Sequence, residues 1–150
     1  MSLDGFQRAV ADLVASPRRC IELRDDPTAL DRVGAYDLDE RERRRLLAMV
    51  RHAGMSHHCT LYRANRLTPI GRGLPQTCEL LGDRLSEELD TFWEREPDGE
   101  IQFRLEAERF ADHLHARLRA GELADTGHLA SVLAIERAEL DARLGPSFHP

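Results

Sequence analysis

The feature that most constrains this chain is the helical period of its apolar residues. Phe103, Ala107, Phe110, Leu114 and Leu118 recur at spacings of 4, 3, 4 and 4, which lines them along one stripe of an α-helix. Runs of alternating β-branched residues, the usual mark of a half-buried strand, are absent. The same period marks a first helix over about 2–15, with Leu3, Phe6, Val10, Leu13 and Val14 on one side. Ser16-Pro17 and Asp26-Pro27 each set a capping side chain before a proline at the first helical position. The helices they open are short, one ending near Asp25 and the other holding Leu30 and Val33. Beyond Tyr36, Asp37 or Asp39 caps a longer helix carrying Leu46, Leu47 and Val50, with Gly54 as its stop.

Ser56 then opens a helix through Cys59, Tyr62 and Leu67, interrupted at Pro69 or by the Gly71/Gly73 pair. Pro75 starts a short helix ending at Gly82, and Asp83 caps another with Leu85, Leu89, Phe92 and Trp93 facing inward. Pro97-Asp98-Gly99 is the clearest loop. Gly121 ends the periodic 103–118 segment, and a last helix from about Asp125 carries Leu129, Leu133, Leu140 and Leu144 up to Gly145-Pro146. The expected fold is all-α, a compact bundle of about eight short helices. The expected division is near Gly54, into a small N-terminal helical unit (1–54) and a larger bundle (55–150).

Composition narrows the class of function. No apolar run approaches the roughly 20 residues that span a bilayer. The start, Met-Ser-Leu-Asp-Gly-Phe, lacks the basic and apolar regions of a signal peptide. Cys20, Cys59 and Cys78 are odd in number and widely spaced, so they suggest no disulfide framework, and a reducing cytoplasm is expected. The net charge of −6 is unevenly spread. Residues 41–73 hold eight Arg against the single acid Glu42, whereas the flanks together total −13. A partner can use such a local excess of positive charge.

Chemistry is harder to find. His52, His57, His58 and Cys59 are the densest cluster, but neighbours on a helix point about 100° apart, and no His pair has the i, i+4 spacing of a helical metal site. His113 and His115 diverge in the same way. Cys59 has a histidine beside it but no nucleophile elbow or orienting acid, and Cys59 and Cys78 both fall on predicted core faces. Gly71-Arg72-Gly73 lacks the strand and the further glycines of a phosphate loop. No enzyme activity, metal or cofactor is therefore expected. The arginines at 41, 43, 44 and 45 crowd a helix start, the unfavourable end of the macrodipole for cations. Tyr62-Arg63-Ala64-Asn65-Arg66 offers two guanidiniums, an amide and a phenol within one helical turn, suited to an acidic peptide, a phosphate or a protein edge.

Two resemblances attach to these residues. Leu61-Tyr62-Arg63-Ala64-Asn65-Arg66-Leu67, Leu80-Leu81-Gly82, Phe92-Trp93, Phe110, Leu114 and Leu133-Ala134-Ile135-Glu136 resemble, over about 56–144, a helical domain family long labelled as DNA-binding. Its better-known members are accessory subunits of multinuclear iron oxidases that modify cysteine-containing ribosomal peptides, with the iron held by the partner. Those accessory proteins continue into a C-terminal strand-containing region outside the resemblance. Phe6-Gln7-Arg8-Ala9, Asp26-Pro27 and Tyr36 to Arg43 resemble the small helical subunit of extradiol aromatic-ring-opening dioxygenases, which supplies no metal ligands. Both resemblances imply an accessory or recognition protein beside a metal-dependent oxidase, in peptide natural-product biosynthesis for the first family. Tyr62, Arg63, Asn65, Arg66 and Arg72 are the expected partner-contact residues. The alternative is a DNA-binding regulator that uses the arginine-rich 41–73 segment.

Overall fold

A computed structural model of the chain describes residues 3–33, 36–97 and 103–143. The expected features at Ser2, Asp98-Gly99, Leu144 and Gly145-Pro146 lie outside the described residues. Within them every regular element is helical: α1 (Leu3–Ala15), α2 (Pro17–Asp25), the single turn α3 (Leu30–Val33), α4 (Glu40–Arg51), α5 (Ala53–Gly73), α6 (Pro75–Leu81), α7 (Leu85–Arg95), α8 (Phe103–Arg119) and α9 (Leu129–Ala142). None of these is long and apolar enough to cross a membrane. The all-α expectation is met.

The caps show why the elements begin where they do. The Ser16 hydroxyl accepts from the Arg19 N–H, and an Asp26 carboxylate oxygen accepts from the Thr28 N–H at 3.0 Å. Asp39 is the cap of α4, through a reciprocal box in which it accepts from the Glu42 N–H and Glu42 accepts from its own. Asp83 does not cap α7, because it sits inside a 3-10 turn, Gly82–Arg84, that leads into the helix.

The chain divides into two compact units, Met1–Ala64 and Asn65–Pro150. The division thus falls inside α5 and not at Gly54, because Met55 and Cys59 on α5 belong to the first core while Ile70 belongs to the second. Gly54 stands in the first turn of α5 and does not terminate α4. The break between the helices is at His52, whose backbone is extended and whose Nδ1 accepts from the Gly54 N–H at 3.0 Å. A Cβ on residue 54 would meet that same Nδ1 at 3.0 Å, so glycine leaves room for the ring.

In the first unit α1, α2 and α4 pack together over Ala9, Leu13, Leu23, Leu30, Leu46 and Val50. Tyr36 closes this core, and its hydroxyl donates to Asp12. Burial and then the Asp12 carboxylate push that phenol up to about 12.

In the second unit α9 packs on α6 and α8, and α7 packs on α8. The core holds Ile70, Leu74, Leu81, Leu89, Phe92, Trp93, Phe110, Leu114, Leu129, Leu133 and Leu140. Neither Pro69 nor the Gly71/Gly73 pair interrupts α5. Proline removes one backbone bond and crowds the carbonyl four residues back. Burial of the next residue, Ile70, at 0% exposure offsets this. Gly73 has a packing role, since a Cβ there would lie 2.9 Å from the Ala107 Cβ.

Among the described residues of this unit three carboxylates are buried, and each has a cationic or N–H partner. Glu136 accepts from the N–H groups of Gln76 and Thr77, at 2.8 and 2.9 Å, where the preceding Leu74 offers no capping side chain. Glu88 lies 2.7 Å from the Arg117 Nε, beside His113. Glu106, 0% exposed, accepts from the Nε of Arg66, itself 4% exposed. Arg66 also donates to the backbone carbonyl of Glu96 at 2.8 Å, and its guanidinium carbon lies 5.6 and 5.7 Å from the Phe92 and Trp93 rings. Leu67 is 38% exposed, because the buried face of α5 passes through Arg66.

Removing one member of a buried pair leaves an uncompensated charge, so Glu106→Leu should destabilise by roughly 3–5 kcal/mol in urea unfolding. The double variant Arg66→Met/Glu106→Leu should recover most of that loss, and equal loss in both variants would contradict the pairing. His113, buried against Phe92 and Phe110, is pushed down from 6.5 to about 4 by desolvation first and by Arg95 and Arg117 second. The unfolded chain therefore takes up this proton first as pH falls, so the stability contributed by neutral His113 is complete above about 6.5 and is lost towards 4. His113→Phe should show a shallower fall in unfolding free energy across that window, and an unchanged slope would refute the assignment.

Candidate functional site

The first unit carries a cavity of about 450 Å³ between α2, the end of α4 and the first half of α5. From α2 come Pro17, Cys20, Ile21 and Arg24, whose i, i+3, i+4, i+7 spacing keeps them on one side of the helix. Val50, Arg51 and His52 bound it at the break between α4 and α5, where the extended His52 backbone turns the chain. From α5 come Met55, Cys59 and Arg63 among others, again at helical spacing. Val50, Met55, Cys20 and Cys59 are buried and give the cavity an apolar wall, while Ile21 is 49% exposed.

Its electrostatics are basic. Arg24, Arg51 and Arg63 all line it, with His52 between α4 and α5. Arg24 is shared with Asp25 at 3.4 Å. Arg51 continues a row along the outward face of α4, where Arg41, Arg44 and Arg45 are exposed. Their spacing of i, i+3, i+4 and i+10 keeps the four within one broad face of the helix, headed by the exposed Glu40. Arg41, Arg44, Arg45 and Arg51 make no ion pair with another described residue, in contrast to the neighbouring Arg43, which is bound to Asp31.

Cys20 and Cys59 face each other with sulfurs 3.9 Å apart. Both thiols point at the Leu13 carbonyl, at 3.0 and 3.6 Å. Burial first, and the neighbouring Cys59 second, push the Cys20 thiol up to about 12, so it is held as a neutral donor. The histidine cluster is dispersed: His57 and His58 are exposed, with an His57 ring nitrogen 3.2 Å from the Ala53 carbonyl, whereas Cys59 is turned into the core. Among the described residues no group of three or more His, Cys, Asp or Glu side chains is placed to hold a metal ion.

The five expected contact residues fall in both units. Tyr62 and Arg63 belong to the first unit, whereas Asn65, Arg66 and Arg72 belong to the second. Of these, Arg63 lines the cavity, Tyr62 is half-buried, and Asn65 and Arg72 are exposed. Arg66 is a correction to the surface reading, because its guanidinium is buried on Glu106 and cannot meet a partner. Arg24, Arg51 and Cys20 were not singled out from the sequence as site residues. The helical spacing of Pro17, Cys20, Ile21 and Arg24 was a visible signal, but nothing in it reveals that α5 lies opposite. The chain matches no protein-family model, no curated protein and no solved structure.

Proposed function

We propose that this chain is a non-catalytic recognition protein whose N-terminal unit docks an acidic segment of a partner protein. The supporting observation is the row of exposed Arg41, Arg44, Arg45 and Arg51, without ion pairs among the described residues, running into a cavity with further arginines and an apolar wall. A surface built for solubility alone normally intersperses both signs of charge. Here the cations are planar forks that grip carboxylates in pairs, and the cavity beside them accepts an apolar side chain. An acidic peptide with one leucine-sized anchor satisfies both features.

In its finer form the partner is a metal-dependent oxidase or the peptide that oxidase modifies, as the two family resemblances imply. Size-exclusion chromatography after co-expression with a candidate oxidase tests that half, and separate elution of the two would reject it. DNA is the alternative occupant of the same arginines. A phosphate backbone leaves the apolar wall unfilled, and a chain of net charge −6 is a weak general binder of nucleic acid.

The docking surface itself is tested with a fluorescent Glu-rich peptide bearing a single leucine, followed by anisotropy. Exposed ion pairs contribute about 0.2–1 kcal/mol each, so Arg41→Glu/Arg44→Glu/Arg45→Glu should weaken binding roughly tenfold or more. Raised salt should weaken the parent complex but have little effect on the variant. Equal binding by parent and variant, or tighter binding of a duplex DNA than of the peptide, would overturn the acidic-segment reading.

A further inference from the structure

We infer that Cys20 and Cys59 are a dithiol modification site, oxidised by a small hydroperoxide to a disulfide that ties α2 to α5 beside the cavity. The two sulfurs stand 3.9 Å apart, about 2 Å beyond bonding distance. At that separation the sulfurs are already in van der Waals contact, so nothing has to move out from between them, and both thiols point at the Leu13 carbonyl. The two cysteines come from different helices and lie 39 residues apart, so only the fold brings them together. Both also line the cavity, which gives a small oxidant a route to sulfurs that are otherwise 9% and 3% exposed.

The chemistry balances without a metal. The Cys59 sulfur gives up its proton and attacks one peroxide oxygen, breaking the O–O bond and forming a sulfenic acid while the leaving oxygen takes the proton. Cys20 then loses its proton as its sulfur attacks that of Cys59, and the hydroxyl departs as water. Two thiols and one hydroperoxide become one disulfide, one alcohol (or water, from hydrogen peroxide) and one water, with two electrons passing from sulfur to oxygen. The product is neutral, which suits a site where desolvation disfavours a thiolate at Cys20. Cys78 is separate, in the second unit, where burial pushes its thiol up to about 11.

The test is treatment of the full folded chain with hydrogen peroxide, followed by intact mass and peptide mapping. The expected product has lost two hydrogens, contains a linked pair of peptides bearing Cys20 and Cys59, and returns to the starting mass with dithiothreitol. Cys78→Ser should behave as the parent does, and Cys59→Ala should give no linked product. In urea, where spacing along the chain governs pairing, linkage should shift towards Cys59 and Cys78, which lie closer in sequence. Linkage through Cys78 in the folded protein, oxygen added to Cys59 without a crosslink, or no change of mass while the circular dichroism stays helical would each overturn the proposal.

Discussion

A charge placed in a core must be matched there, and the second unit is organised around that requirement. Arg66 stands at a position of α5 that its helical register turns inward, and Glu106 stands beside Ala107 on the buried stripe of α8. Either alone would cost several kcal/mol in desolvation, so each makes the other tolerable. The guanidinium also reaches the Glu96 carbonyl just past the end of α7, and it lies beside Phe92 and Trp93. One side chain thereby sets the approach of α5, α7 and α8. Glu136 does comparable work at the start of α6, substituting a carboxylate from α9 for the cap that Leu74 cannot provide.

The first unit handles its charge differently. Its core is apolar and small, with Tyr36 bound to Asp12 at the margin, and its arginines are left on the outside. Four of them on the α4 face stay without an ion pair among the described residues although acids are common in this chain. Arg41 and Arg44 stand near the start of α4, the end of the macrodipole that disfavours cations, whereas Arg51 stands in its last turn. The cavity beside them adds shape, and the facing cysteines add a chemistry that depends on two helices being held at one distance.

Much of the fold was legible in the chain. The Ser16 and Asp26 caps, the long apolar stripe of α8 and the Leu129, Leu133, Leu140 face of α9 were all readable, because period and capping depend on neighbours within a few residues. The misreadings have the same origin. Gly54 reads as a stop, yet it makes room for His52; Pro69 reads as a break, yet burial of Ile70 carries the helix past it. Arg66 reads as a surface contact, yet it is buried, because the residue type at one position cannot reveal an acid waiting on another helix.

The 41–73 arginine excess was visible from the start, but the site built from it was only partly so. That the chain is helical, where most helices begin and which segment is basic were readable in the residues alone, since these follow from local backbone and charge patterns. The packing alone settled which arginines stay without an ion pair among the described residues. That depends on whether a carboxylate sits opposite, as Glu106 does for Arg66 and as no described residue does for Arg44. It also decided that Cys20 and Cys59 meet, because contact between residues far apart in the chain is settled by how helices pack and not by their spacing in sequence.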